Sequence, residues 1–208
     1  MKLIKQAWAI VRENRKAYIL INVFYYGLVV IFMVVSAFNQ PLQDQMLASV
    51  GESFTSGPLS AVGSAYINAE VLSAIGLTFL VNLVLASFLQ ITLPSAIVPF
   101  SGFVIGIVRA VTWGLLLSPA HPDLRLVMIP HSLVLILEGQ AYILALLAAY
   151  VHGRAWLWPK TVGAVTHGQG YVEGLKRTGK LYLLVILTLA VAAIYEVLEV
   201  VVLARFFG

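Results

Sequence analysis

The chain contains no cysteine, which excludes disulfides, thiolate catalysis and cysteine metal sites. It is also poor in charge: 11% of its 208 residues are Asp, Glu, Lys or Arg, against 61% hydrophobic. A soluble domain of this length cannot hide that much apolar surface in one core, so lipid must solvate much of it. The usual catalytic signatures are missing as well. A membrane zinc protease needs two histidines one turn apart around a glutamate, and His121, His131, His152 and His167 offer no such pair. There is no GxSxG nucleophile elbow. Gly168, Gly170 and Gly174 lack both the Lys-Ser/Thr pair of a phosphate loop and the preceding strand of a dinucleotide fingerprint. The expectation is a protein that is not an enzyme and holds no metal and no cofactor. No internal repeat is apparent, so the inverted-repeat architecture of many secondary transporters has no support.

What is present is a division of charge and apolar runs. Ten of the thirteen Lys and Arg residues lie in two short stretches, 2–16 and 154–180. By the positive-inside rule both stretches are cytoplasmic, and the protein is expected in the cell membrane with its N-terminus inside and its C-terminus outside. Basic charges that sit beside apolar spans serve orientation and attraction to anionic lipid, and nucleic acid is not expected as a partner. The expected fold is all-α, a single membrane domain of about five transmembrane helices with amphipathic interfacial helices.

Residues 1–16 form the first such helix, with Leu3, Ile4, Ala7, Trp8, Ile10 and Val11 opposite Lys2, Lys5, Arg12, Arg15 and Lys16. The spans are expected at 17–38, 69–91, 100–118, 131–151 and 181–206. The first is too long for a signal-peptide core and has no small-residue cleavage site after it. Residues 39–68 contain Asp44 and Glu52 but no Lys or Arg, the composition of an external segment. Within it Leu42, Met46, Val50 and Phe54 recur every four residues, which predicts an amphipathic helix ending at Gly57-Pro58. An uncharged turn containing Pro94 and Pro99 should follow the second span. Residues 153–180 are expected as a cytoplasmic segment, loosely helical at its surface.

Two features of the spans carry the functional reading. Gly102, Gly106, Ala110 and Gly114 are four apart and form a ridge with almost no side chain, which lets another helix approach closely, within the bundle or between protomers. The second feature is an intramembrane charge cluster of Arg109, Glu138, Glu196 and Glu199, with His131 beside it. Such groups cost several kcal/mol at the bilayer centre unless paired or hydrated. At 100° per residue Arg109 lies within about 20° of Gly102, so it points into the bundle. His131 and Glu138 share one face of the fourth span, and Glu196 and Glu199 share one face of the fifth. The expected arrangement is an ion pair from Arg109 to Glu138 or Glu196 in the outer half of the bundle.

Ile129-Pro130-His131-Ser132, opening an apolar helix that contains Glu138 and continues to Gly153-Arg154, resembles the Pro-His-Gly…Glu segment of the stage II sporulation protein M family. The layout is similar too: a basic amino terminus, an external segment after the first span, Asn82 in the second span and Gly102 and Gly106 in the third. Ser132 stands where the family usually has glycine, and Glu138 lies seven residues after His131, where the family commonly has its acid four after. The resemblance implies a non-enzymatic membrane component, whose namesake anchors peptidoglycan-degrading partners in spore formers. Some relatives are suspected of working with transport machinery.

Two functions follow from these readings. One is a scaffold or accessory subunit, a homo-oligomer or part of a membrane-protein complex, that recruits or anchors partner proteins. The other is a small channel, transporter or lipid-handling protein with an outward-facing polar cavity around Arg109, Glu138 and Glu196. A scaffold should show Arg109 fully bridged; a permeation protein should leave a carboxylate open to water.

Overall fold

Sustained apolar sequence becomes helix in lipid because every backbone N–H and C=O must find its partner inside the protein. The computed structural model describes the backbone of residues 2–207 and the side chains of residues 2–201, and its regular elements are all helical among the described residues. They are α1 (Lys2–Glu13), α2 (Arg15–Ala37), α3 (Gln40–Thr55), α4 (Ser60–Ile67), α5 (Val71–Leu80), a π-helical stretch (Val81–Thr92), α6 (Leu93–Ile97), α7 (Gly102–Leu116), α8 (Met128–Leu157) and α9 (His167–Phe207). Short 3₁₀ turns at Pro122–Leu124 and Pro159–Val162 flank α8. Four helices are long and apolar enough to cross a membrane: Arg15–Ala37, Val71–Ile97, Met128–Leu157 and His167–Val201. The chain is an all-α, multi-pass membrane protein. The apolar helix α7 has 15 residues, about 22 Å at the α-helical rise and short of the ~30 Å hydrocarbon layer.

The central member is α8, buried on nearly all sides from Val134 to Ala155, with α9 packed along its length. Alanines at 141, 145, 148 and 149 keep its surface low, and Tyr142, Ile143 and Leu147 fill the space around them. The ridge of α7 is buried at all four positions. A Cβ at Gly114 would stand 2.5 Å from the Val29 carbonyl oxygen of α2, and one at Gly106 would stand 2.8 Å from Leu146 of α8. The small residues therefore hold α7 between α2 and α8, inside the bundle. Ser36 and Gln43 complete this joint. Ser36 donates to the Leu115 carbonyl at 2.7 Å, and the Gln43 amide donates to Leu116 and Ser118 at 3.0 Å each, so carbonyls at the open end of α7 are satisfied.

Three segments differ from the sequence expectation. The second long helix does not end near residue 91; it passes Pro94 and runs to Ile97. The reason is local. Pro94 falls just where π geometry gives way to α, and such a local change of hydrogen-bond register lets a membrane helix tolerate a proline. The chain turns instead at residues 98–101. Val98 is extended, as a residue before proline must be, and Phe100 adopts φ +69°. This strained turn is fixed by protein: Ser95 Oγ accepts from the Gly102 N–H at 2.8 Å, and the Phe100 ring lies against Gly153 and Tyr150. The segment 153–180 also differs, because α8 continues to Leu157 and α9 starts at His167. A capping box starts α9: Gln169 N–H donates to Thr166 Oγ1 at 3.2 Å, and Gln169 Oε1 accepts from Val165 and Thr166.

Half of the α1 stripe is covered. Ala7, Ile10 and Val11 are buried, and α1 packs on α9, where both Glu13 carboxylate oxygens accept from Arg177 Nη1 at 2.9 Å. Leu3, Ile4 and Trp8 remain exposed. An exposed apolar edge on a basic helix suits the headgroup layer.

Candidate functional site

Four helical elements deliver polar groups to one place in the interior. The π-helical stretch contributes Asn82, α7 contributes Arg109, α8 contributes Glu138 and Tyr142, and α9 contributes Glu196. Asn82 is the connector. Its amide donates to Glu138 Oε1 at 2.5 Å, while its carbonyl accepts from the Tyr142 hydroxyl at 2.6 Å, and that hydroxyl lies 3.4 Å from Glu138 Oε2. Glu138 and Tyr142 are four apart on α8, so one helix face presents both. π-Helix is rare and concentrates at functional sites. Here it carries both Asn82 and Gln90.

The expected ion pair of Arg109 is not formed. No carboxylate oxygen of the described residues lies within 4.0 Å of its guanidinium nitrogens. Instead the guanidinium carbon stacks 4.3 Å from the centroid of the Tyr142 ring, and Nη2 reaches Gln90 Oε1 at 3.5 Å. Glu138 is already engaged by Asn82 and Tyr142, and an aromatic face attracts a guanidinium without a second charge while leaving its in-plane N–H donors free. Of the five N–H donors of Arg109, one makes this single long hydrogen bond among the described residues.

These groups line a cavity of about 250 Å³. Asn82, Arg109, Glu138, Glu196, Thr78 and Tyr66 form its polar wall; Trp113, Val81, Phe54, Leu59 and Val62 form the rest. The last three, with Tyr66, belong to α3 and α4 and the turn between them, so the segment between the first two long helices roofs the site. That roof is tightly built: Gly63 rests directly on the Phe54 carbonyl, where a Cβ has no room. Burial and the neighbouring Glu196 carboxylate hold the Tyr66 phenol well above its ordinary value, so it remains an O–H and pairs with Thr78 Oγ1 at 3.1 Å. Glu196 Oε2 is buried with no hydrogen-bond partner among the described residues.

Glu199 and His131 stand apart from this cavity's lining. His131 Nδ1 is 3.4 Å from Glu199 Oε1, close enough for an ion pair but not aligned for a hydrogen bond, and both Glu199 oxygens are buried. The structure thus splits the five charged and ionisable candidates in two: Arg109, Glu138 and Glu196 at the cavity, His131 and Glu199 beside it. Tyr142, Tyr66, Thr78, Trp113 and Gln90 were not anticipated. Tyr142 alone carried a sequence signal, its four-residue offset from Glu138. No group of three or more His, Cys, Asp or Glu side chains arranged to hold a metal ion occurs among the described residues. Comparison with family models, with curated proteins and with solved structures gives no match, so the site is read from its own geometry.

Proposed function

We propose that this protein binds a small zwitterionic solute or headgroup in the roofed cavity, as a transport or lipid-handling component. The observation that carries the reading is the pair of unmet polar demands facing one space: an Arg109 guanidinium without a carboxylate partner, and a Glu196 carboxylate oxygen without a donor. A ligand with an anionic group and an ammonium group meets both. At about 250 Å³ the cavity lies just under the usual ~300–1,000 Å³ of small-molecule pockets and far above the ~10–15 Å³ one water needs. Trp113 and Tyr66 offer π faces for an ammonium. The protein is non-enzymatic in this reading, with α7 as a fifth crossing, α1 inside and the α3–α4 roof outside, following the basic residues.

The test is titration of the purified protein with glycine and with phosphoethanolamine, read by Trp113 fluorescence against a Trp113→Phe control. The two probes separate a free solute from a lipid headgroup as the source of the chemistry. Saturable quenching that is lost in Arg109→Leu and Glu196→Gln is expected. A signal absent with both probes, or indifferent to both substitutions, overturns the proposal.

The scaffold reading keeps two observations, the short segment around Pro130-His131 that resembles the stage II sporulation protein M family and the exposed edge of α1. Purification in mild detergent, with identification of a stoichiometric protein partner that stays bound to an Arg109→Leu variant, would favour it.

A further inference from the structure

The His131 and Glu199 pair is left over once the cavity is described, and its placement is specific. Glu199 is 7% exposed, and neither carboxylate oxygen has a hydrogen-bond partner among the described residues. A buried carboxylate without donors is costly as an anion and inexpensive as an acid, so its position favours a group that takes up a proton. His131 covers it. That ring is partly exposed in the first turn of α8, with Nδ1 3.4 Å from Glu199 Oε1. The Tyr195 hydroxyl donates to the Pro130 carbonyl at 3.1 Å, which ties this end of α8 to α9. One turn along α9 from Glu199 is Glu196, on the same helix face and at the cavity wall.

We propose that His131 and Glu199 form an external proton-uptake site that passes protons to Glu196, so that occupancy of the cavity is coupled to protons. The transfer conserves charge at each step. A proton from outside water binds His131 Nδ1, moves to Glu199 Oε1 as the imidazole returns to neutral, and then moves to Glu196 as Glu199 becomes an anion. Protonated Glu196 can no longer attract the ligand's ammonium, and an arriving ammonium displaces the proton. Among the described residues, the ionisable groups that face this path are His131, Glu138 and Tyr142 from α8, Tyr66 from α4, and Tyr195 and Glu196 from α9; α5 has none, and Glu70 at its start is exposed. Arg109 faces it across the cavity.

The coupling rests on the ligand-binding reading above, but the proton site can be measured without any ligand. Rapid acidification of the purified full-length protein is followed in the infrared carbonyl band of protonated carboxyl groups. In a Glu138→Gln background, which removes the third buried carboxyl near the path, Glu199 and Glu196 should protonate. Glu199→Gln should remove one band and slow the other about 100-fold, a typical loss for a missing acid–base group. His131→Gln should keep both bands and slow both. Glu196→Gln should retain the Glu199 band with unchanged kinetics, which also shows that the isosteric variants fold. A Glu196 band that rises equally fast in Glu199→Gln, or a Glu199 band that does not respond to pH, overturns the uptake path. Proton uptake without zwitterion-dependent quenching would leave the path standing and remove the ligand.

Discussion

Replacing Asn82 with leucine would test whether the amide is the connector that the geometry makes it. The substitution nearly conserves volume and removes two hydrogen bonds at once, one to Glu138 Oε1 at 2.5 Å and one from Tyr142 at 2.6 Å. In a soluble protein, hydrogen bonds to charged groups contribute about 1.5–3 kcal/mol and neutral ones about 1. Inside a bilayer the inserted but unpacked helices find other partners, and interhelical hydrogen bonds average about 0.6 kcal/mol with an upper end near 1.7. The membrane value governs here, so two bonds predict a loss of about 1–3 kcal/mol for Asn82→Leu. The Tyr142 hydroxyl limits the damage because Glu138 Oε2 already lies 3.4 Å away. Tyr142→Phe should therefore cost less than Asn82→Leu, and the double variant should cost less than the sum. Unfolding of the refolded protein in mixed micelles by added SDS gives these differences as a double-mutant cycle. Strict additivity, or an Asn82→Leu effect below about 0.5 kcal/mol, the usual size for an uninvolved surface position, would refute the role of the connector.

Gly114→Ala should destabilise more than Gly106→Ala in the same assay, toward the upper and lower ends of the ~1–3 kcal/mol typical of overpacking. The added methyl meets the Val29 backbone in one case and the movable end of Leu146 in the other, so equal losses would contradict the packing. Arg109→Leu should couple to Tyr142→Leu by about 1–2 kcal/mol, the strength of a desolvated cation–π contact, and more than it couples to Glu138→Gln. A larger coupling to Glu138 would restore the ion pair. Arg177→Ala should loosen α1 from α9 by at most about 1 kcal/mol, because Glu13 is half exposed, which allows up to about a fivefold faster labelling of Ala7→Cys. Lys160→Cys should resist an impermeant thiol reagent on intact cells while Gln45→Cys reacts; the reverse pattern would invert the topology.

The helical class and the four long apolar helices were readable because apolar runs of spanning length have no soluble alternative. The ridge at Gly102, Gly106, Ala110 and Gly114 was readable as a contact surface because its period is that of a helix, although its partners, α2 and α8, were not. Helix ends were less legible. Pro94 reads as a stop, yet it sits in the first turn of α6 after a π-helical stretch that no residue pattern announces. The start of α9 did have a signal, Thr166 and Gln169 three apart, lost among the surrounding glycines. At the site, helix geometry brought Arg109, Glu138 and Glu196 to a common region but could not decide between a carboxylate and an aromatic ring as the partner of Arg109. That choice depends on side-chain positions around Asn82 and Tyr142, which periodicity does not encode.

One helix carries both Arg177 and Glu196. They are 19 residues apart on α9, about 28 Å at the α-helical rise, with no proline between them and α8 alongside. An α-helix is stiff along its axis, and its sharp kinks need a cause such as proline that this stretch lacks. In the proposed binding cycle, a tilt of α9 that repositions Glu196 also swings Arg177, and with it Glu13 and α1, at the far end of this stretch. In that cycle α9 acts as a mechanical lever from the roofed chamber to the basic surface helix.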